Sequence, residues 1–126
     1  MARILIIEDT TTHLELAQQL LERSGHRVLV ASDGRVGISV ARRERPQLII
    51  CDLQLPSQRG PGVLEQLKLD AACAQIPIVA VTEFAASGDG QKAGLAGFDG
   101  YFSKPVDPAT FIAQIEAFLP PRLADG

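Results

Sequence analysis

The 126-residue sequence contains no tryptophan, one methionine, one tyrosine and two cysteines. The two cysteines, Cys51 and Cys73, are too few for a disulfide framework or for a zinc site built from cysteines. Twelve basic and fifteen acidic residues leave a net charge of −3, which predicts no nucleic-acid partner. No apolar run approaches the ~20 residues that span a membrane, and the N-terminal run is too short for a signal peptide. We therefore expect a cytoplasmic protein without a membrane partner.

Short apolar runs separated by helical patterns are what the sequence does contain. Five runs predict strands, at residues 4–7, 28–31, 48–51, 76–81 and 100–103. These runs lack a strict alternation with polar residues, which is typical of parallel strands covered by helices on both faces. The helical patterns predict five helices, the fourth of them near residues 91–96. The alternating order of strands and helices predicts an α/β fold with a doubly wound, five-stranded parallel sheet.

Several residues predict where the helices begin. Thr12 and Glu15 have the spacing of a capping box for the first helix. Asp33 is placed to cap the second helix, and Asp107 is placed to open the last one. Glycines are frequent between residues 83 and 99, and each interior glycine weakens a helix. We therefore expect the fourth helix to be the least stable.

Polar side chains that could bind a ligand or take part in a reaction follow four of the five predicted strands. Glu8 and Asp9 follow the first strand, Asp52 the third, Thr82 the fourth and Lys104 the fifth. Each residue alone has an ordinary structural explanation, such as a helix cap, a turn residue or a surface charge. The carboxyl ends of parallel strands meet at one edge of the sheet, so we expect all of them to lie together.

This set of side chains predicts a particular chemistry. Three carboxylates in one crevice repel each other, and a hard divalent cation such as Mg²⁺, or Mn²⁺, would relieve that repulsion. A carboxylate can also attack phosphorus to form an acyl phosphate, and Asp52 is the central candidate for that nucleophile. Lys104 and the hydroxyl of Thr82 are the groups available to stabilise the charge on the phosphoryl oxygens.

Four segments of the sequence together resemble the receiver domain of two-component response regulators. They are "ILIIED", "LIICDLQLP" followed by Gly60, "IPIVAVT" and "GFDGYFSKPVD", and the resemblance covers residues 3 to about 119. It implies a flavodoxin-like fold with strand order 2-1-3-4-5. It also implies that residues 1–120 form the receiver domain, and that residues 121–126 are a short tail with no output domain.

The resemblance assigns roles to the acidic residues and to one backbone group. Asp52 would be the phosphoacceptor. Glu8 and Asp9 would hold Mg²⁺ together with Asp52, and the backbone carbonyl of Gln54 would be a further ligand.

The resemblance also assigns a switch. Thr82 would follow the phosphoryl group, Tyr101 would be the rotating switch aromatic, and Lys104 would pair with the phosphoryl oxygens. The Lys104–Pro105 bond is a candidate cis peptide, as it is in many members of the family.

Three positions depart from the family pattern. Glu83 follows Thr82 where receivers generally have a small residue, and Arg59 and Pro61 are unusual in the loop after the third strand. Glu83 adds a negative charge near the predicted phosphoryl position, so we interpret it as a possible modulator of the site.

The function predicted from these features is that of a stand-alone phosphorylation switch rather than an enzyme. A sensor histidine kinase or a histidine phosphotransfer protein would donate the phosphoryl group, and the protein would catalyse nothing beyond assisting its own phosphorylation and dephosphorylation. A downstream partner protein, or a homodimer, would read the signal. The first alternative is a pseudo-receiver that binds partners without phosphorylation. The second is a phosphatase of the haloacid dehalogenase type, which requires an aspartate where this chain has Gln54.

Overall fold

The computed structural model describes residues 1–53, 60–82, 97–104 and 106–120. In these residues one parallel sheet is formed by five strands: β1 (Arg3–Ile7), β2 (Arg27–Ala31), β3 (Leu48–Asp52), β4 (Ile78–Thr82) and β5 (Gly100–Ser103). The strand order is β2-β1-β3-β4-β5. The predicted flavodoxin-like order 2-1-3-4-5 is therefore confirmed. The fourth strand begins two residues later than predicted, and the third includes Asp52.

Four helices occur in the described part of the chain: α1 (Thr11–Arg23), α2 (Gly34–Glu44), α3 (Gly60–Leu69) and α4 (Phe111–Glu116). The predicted helix near residues 91–96 lies outside the described residues, and so does the expectation that it is the least stable. No helix within those described ranges has the length and apolar character needed to cross a lipid bilayer.

The core has two halves because the central strands bury both of their faces. Successive side chains of a strand point to opposite sides of the sheet. Accordingly, Leu5 and Ile7 of β1 pack in one apolar cluster with residues of α2 and α3. Ile4 and Ile6 pack in the other cluster with residues of α1 and α4. This double burial explains why the strands appear in the sequence as unbroken apolar runs.

The helix starts agree only in part with the predictions. Asp33 caps α2 as predicted, since its Oδ1 accepts a hydrogen bond from the Val36 N–H at 2.8 Å. The predicted capping box of α1 is wrong, because the helix begins earlier, with Thr10 at the N-cap and no side-chain cap bond. The chain from Asp107 first forms a turn, and α4 begins only at residue 111.

Candidate functional site

Strand register brings Glu8 and Asp52 to the same edge of the sheet. β1 and β3 pair in parallel up to Ile7 and Cys51, and Glu8 and Asp52 each follow directly. Side chains alternate along a strand, and both residues fall in the alternating set that packs in the apolar cluster on the α1 and α4 side of the sheet. Both are also buried, with 4% and 5% of their surface exposed. The topology therefore places two carboxylates side by side in a region largely closed to water.

Asp9 completes an acidic cluster at this edge. One carboxylate oxygen from each of Glu8, Asp9 and Asp52 lies within 4.8 Å of the other two, and Asp9 is exposed. Hard carboxylate oxygens are the ligands that Mg²⁺ prefers. Since the three acids have a net negative charge and one of them opens to solvent, this donor set fits a divalent cation that enters from the surface.

Lys104 supplies a positive charge to the same cluster. Its backbone N–H donates to the carbonyl of Thr82 at 2.9 Å, which anchors it one residue beyond β5. Its side chain reaches across β4, and the ammonium forms ion pairs with Glu8 and with Oδ2 of Asp52, the latter at 3.2 Å. The sequence predicts a lysine at this edge of the sheet, but it does not predict the pairing of that lysine with Glu8.

The environment shifts the pKa values of both partners in this ion pair. Burial raises the pKa of Glu8 to about 7, although the hydrogen bond from Lys104 opposes the shift. Burial acts to lower the pKa of Lys104, but the hydrogen bond with Glu8 and the charge of Asp52 outweigh it and raise that pKa. The raised pKa of Lys104 favours its cationic form, while the raised pKa of Glu8 brings its titration close to neutral pH.

Thr82 and Tyr101 differ in their surroundings. Thr82 ends β4 and is almost completely buried, with 1% of its surface exposed. Tyr101 lies in β5, the last strand of the sheet, opposite Ala80, and is 45% exposed. The structure thus places Thr82 at the edge where Asp52 and Lys104 meet and Tyr101 at the surface. Their switch roles remain predictions.

Several predicted contributors lie outside the described residues: Gln54, Arg59, Glu83 and Pro105. The carbonyl ligand, the charged modulator and the cis peptide bond therefore remain predictions from the sequence. The side chain of Pro61, at the start of α3, is also outside the description.

The thiol next to Asp52 is a poor competitor for the role of nucleophile. Cys51 is completely buried, and its Sγ donates to the backbone carbonyl of Asp52 at 3.4 Å. Burial raises the pKa of the Cys51 thiol far above its ordinary value, so the reactive thiolate is disfavoured. Asp52 is the better candidate for a nucleophile at the end of β3.

One residue near the site was missed by sequence reasoning. His13 lies in the first turn of α1 and, together with Lys104 and with Glu8 of the acidic cluster, lines a small cavity. A single histidine in a helix has no spacing pattern that would have distinguished it. Only the packing of α1 against the sheet shows that it is close to the site.

Comparisons with known proteins agree with this geometry. The family model for the response regulator receiver domain matches residues 4–116. The polar-differentiation response regulator DivK of Brucella anthropi is 36% identical over 116 residues, which cover 92% of this chain and 94% of that protein. DivK of Brucella ovis is 35% identical over the same length.

Two solved structures illustrate the similarity in fold. The receiver domain of a sensor histidine kinase from Pseudomonas aeruginosa, described with a magnesium ion coordinated in its active-site cleft, has a TM-score of 0.86 and 26% identity. The match covers 93% of this chain and 96% of that one. A chemotaxis response regulator of Vibrio cholerae has a TM-score of 0.88 and 24% identity, with 94% and 99% covered, and it supports the fold alone.

Proposed function

Because this chain belongs to the response regulator receiver domain family, we propose that it is a phosphorylation-controlled signalling protein whose phosphoacceptor is Asp52. Receiver domains are signalling components of two-component systems, in which a histidine kinase is a partner. A sensor histidine kinase or a histidine phosphotransfer protein is the proposed donor. The observation that carries the proposal is the buried Asp52 carboxylate, 3.2 Å from the Lys104 ammonium and clustered with Glu8 and Asp9.

The proposed reaction is a phosphoryl transfer to a carboxylate. An oxygen of Asp52 forms a bond to phosphorus while the phosphorus–nitrogen bond of a phosphohistidine breaks, and the leaving imidazole nitrogen keeps the electron pair. Glu8, Asp9 and Asp52 would hold Mg²⁺, which supplies positive charge that offsets the charge of the phosphoryl oxygens. Lys104 already lies against Asp52, so its ammonium is placed to donate to an oxygen of a phosphoryl group on Asp52.

The signal would arise from a change in the partners of Lys104 and Thr82. In the structure Lys104 is bound to Glu8 and Asp52. An acyl phosphate on Asp52 offers new acceptors to Lys104 and to the hydroxyl of Thr82, and this favours a second arrangement of β4 and β5. Tyr101 would report that change at the surface to a downstream protein or to a second copy of the chain.

The proposal also covers the extent of the domain, the absence of enzymatic activity on other substrates, and the location of the protein. The chain acts as a single receiver domain over residues 1–120, with residues 121–126 as a tail. We infer that it does not act as an enzyme on other substrates, because Asp52, the candidate nucleophile among the described site residues, is converted into the signal itself. The proposed location is the cytoplasm, where phosphohistidine donors are formed from ATP.

The test is labelling by acetyl phosphate, read by intact mass. We expect the wild-type protein to gain one phosphoryl group in the presence of Mg²⁺ and none in EDTA. Asp52→Asn should gain none, while Glu65→Gln, which changes an exposed acid on α3, should be labelled at the wild-type rate. Equal labelling of Asp52→Asn would overturn the assignment. No labelling of the wild-type protein by acetyl phosphate or by a histidine kinase would favour the pseudo-receiver.

A further inference from the structure

A small cavity lies on the α1 and α4 side of the sheet, against Glu8 of the acidic cluster. Its volume is about 20 Å³, which is enough for one water molecule. Apolar side chains such as Ile6, Ile50 and Phe111 form much of its wall. Among its described lining residues, the polar side chains are Glu8, His13 and Lys104. The cavity therefore joins the Glu8–Lys104 ion pair to α1.

The side chain of His13 lines this cavity, and its Nδ1 atom is notable. It is buried and has no hydrogen-bond partner among the residues that the structure describes. Buried polar atoms without a partner are uncommon in folded proteins because burial removes their hydrogen bonds to water. A water molecule in the adjacent cavity would provide the missing partner.

Lys104 offers such a water a donor. An ammonium group has three N–H bonds and no acceptor. Two of those of Lys104 are directed at Glu8 and at Asp52, and the third can donate to a water in the cavity. The Glu8 carboxylate is a second acceptor on the same wall. Together with His13 this gives the water three polar partners, within the range of two to four typical of buried waters.

We propose that one buried water molecule in this cavity accepts a hydrogen bond from Lys104 and donates hydrogen bonds to Nδ1 of His13 and to Glu8. His13 is then a positioning residue for the Lys104 ammonium, acting through the water. The proposal of a bound water rests only on the cavity and on the buried Nδ1 atom of His13. The effect on phosphorylation rests on the function proposed above, because it requires Lys104 to stabilise the phosphoryl group.

The water is tested first by nuclear magnetic resonance on the wild-type protein. A water that donates to Nδ1 requires the neutral His13 ring to hold its proton on Nε2, which the ring ¹⁵N shifts report. The chain has two histidines, and His26 is an internal control, because its Nδ1 accepts the Ala2 N–H at 3.0 Å. We also expect a nuclear Overhauser effect between a long-lived water and the protons of Phe111. A proton on Nδ1 of the neutral His13 ring, or the absence of this water contact, would overturn the proposal.

Matched variants then test the positioning role. His13→Leu fills the site without an acceptor and should remove the water contact. Its labelling by acetyl phosphate should slow about fivefold, the size expected when one hydrogen bond to a group that stabilises the transition state is lost. His13→Asn retains an acceptor and should stay within about twofold of wild type. Glu15→Gln changes an exposed residue of the same helix and should have no effect.

The outcomes separate the two proposals. An unchanged labelling rate in a folded His13→Leu variant, as judged by its thermal unfolding midpoint, would overturn the positioning role. If wild-type protein takes up no phosphoryl group from any donor, the proposed function fails. The ¹⁵N shifts and the water contact still decide the water site in that case.

Discussion

Replacing Glu8 by Gln should stabilise the metal-free protein at alkaline pH. The carboxylate is 4% exposed, and burial raises its pKa from 4.5 to about 7. The folded protein therefore binds this proton more tightly than the unfolded chain does. Between pH 4.5 and about 7 the folded state holds more protons, so the Glu8 contribution makes stability fall as the pH rises.

The expected size follows from that difference in pKa. An increase from 4.5 to about 7 corresponds to about 3 kcal/mol of unfolding free energy lost once the pH exceeds the folded value. In the wild-type protein the Thr10 N–H donates a hydrogen bond to the Glu8 carboxylate at 3.2 Å. Gln has the shape of the protonated acid and keeps an oxygen that can accept this hydrogen bond. We expect Glu8→Gln to match wild type near pH 4.5 and to exceed it by about 2–3 kcal/mol at pH 8.

Urea denaturation in EDTA at several pH values between 4.5 and 8 measures this effect. Glu15→Gln, an exposed change on α1, is the control and should follow the wild-type curve. Mg²⁺ should stabilise wild type more at pH 8 than at pH 5, because a cation binds the ionised carboxylate, and it should stabilise Glu8→Gln less. Parallel pH curves for wild type and Glu8→Gln would refute the reasoning, since they would show that Glu8 has the same pKa in the folded and unfolded states.

Three further predictions concern stability and are measured by urea denaturation. Gly37→Ala should destabilise by about 1–3 kcal/mol, because its Cβ would lie 2.5 Å from Cδ1 of Ile7; higher stability, as helix propensity alone predicts, would contradict this packing. Arg45→Gly should stabilise by about 0.5–1 kcal/mol, because Arg45 has a φ of 46°; a loss would mean that its side chain matters more than the backbone. His26→Leu should destabilise by about 2–4 kcal/mol, because it removes the buried acceptor of a backbone N–H and a 2.7 Å contact with Glu116; a loss no larger than that of Glu116→Gln would disprove the buried-acceptor argument.

A doubly wound parallel sheet and the position of the site could be predicted from the sequence pattern, whereas the strand order 2-1-3-4-5 followed from the resemblance to receiver domains. Apolar runs without alternation indicate strands covered on both faces, and helical patterns between them allow few topologies. A residue that directly follows a parallel strand must lie at the carboxyl edge of the sheet. For this reason Glu8, Asp9, Asp52, Thr82 and Lys104 could be assigned to one edge without coordinates.

Local signals predicted less about the ends of the helices. The spacing of Thr12 and Glu15 has the form of a capping box, but α1 begins one residue before Thr12. The Thr10 N–H instead donates to the Glu8 carboxylate. The Glu8 side chain thus accepts a hydrogen bond from an N–H group near the start of the helix. A pattern within the helix cannot predict this bond, because Glu8 lies outside the helix.

The electrostatics of the site were decided by the tertiary structure alone. The contact of Lys104 with Glu8 joins residues 96 positions apart, and the raised pKa of Glu8 depends on how completely the surrounding strands exclude water. The cavity beside His13 likewise exists only because α1 and α4 pack against the same face of the sheet. Residue types and their order determine which groups reach the edge of the sheet. Their distances and their burial, which set charge and reactivity, result from packing between segments that are far apart in the chain.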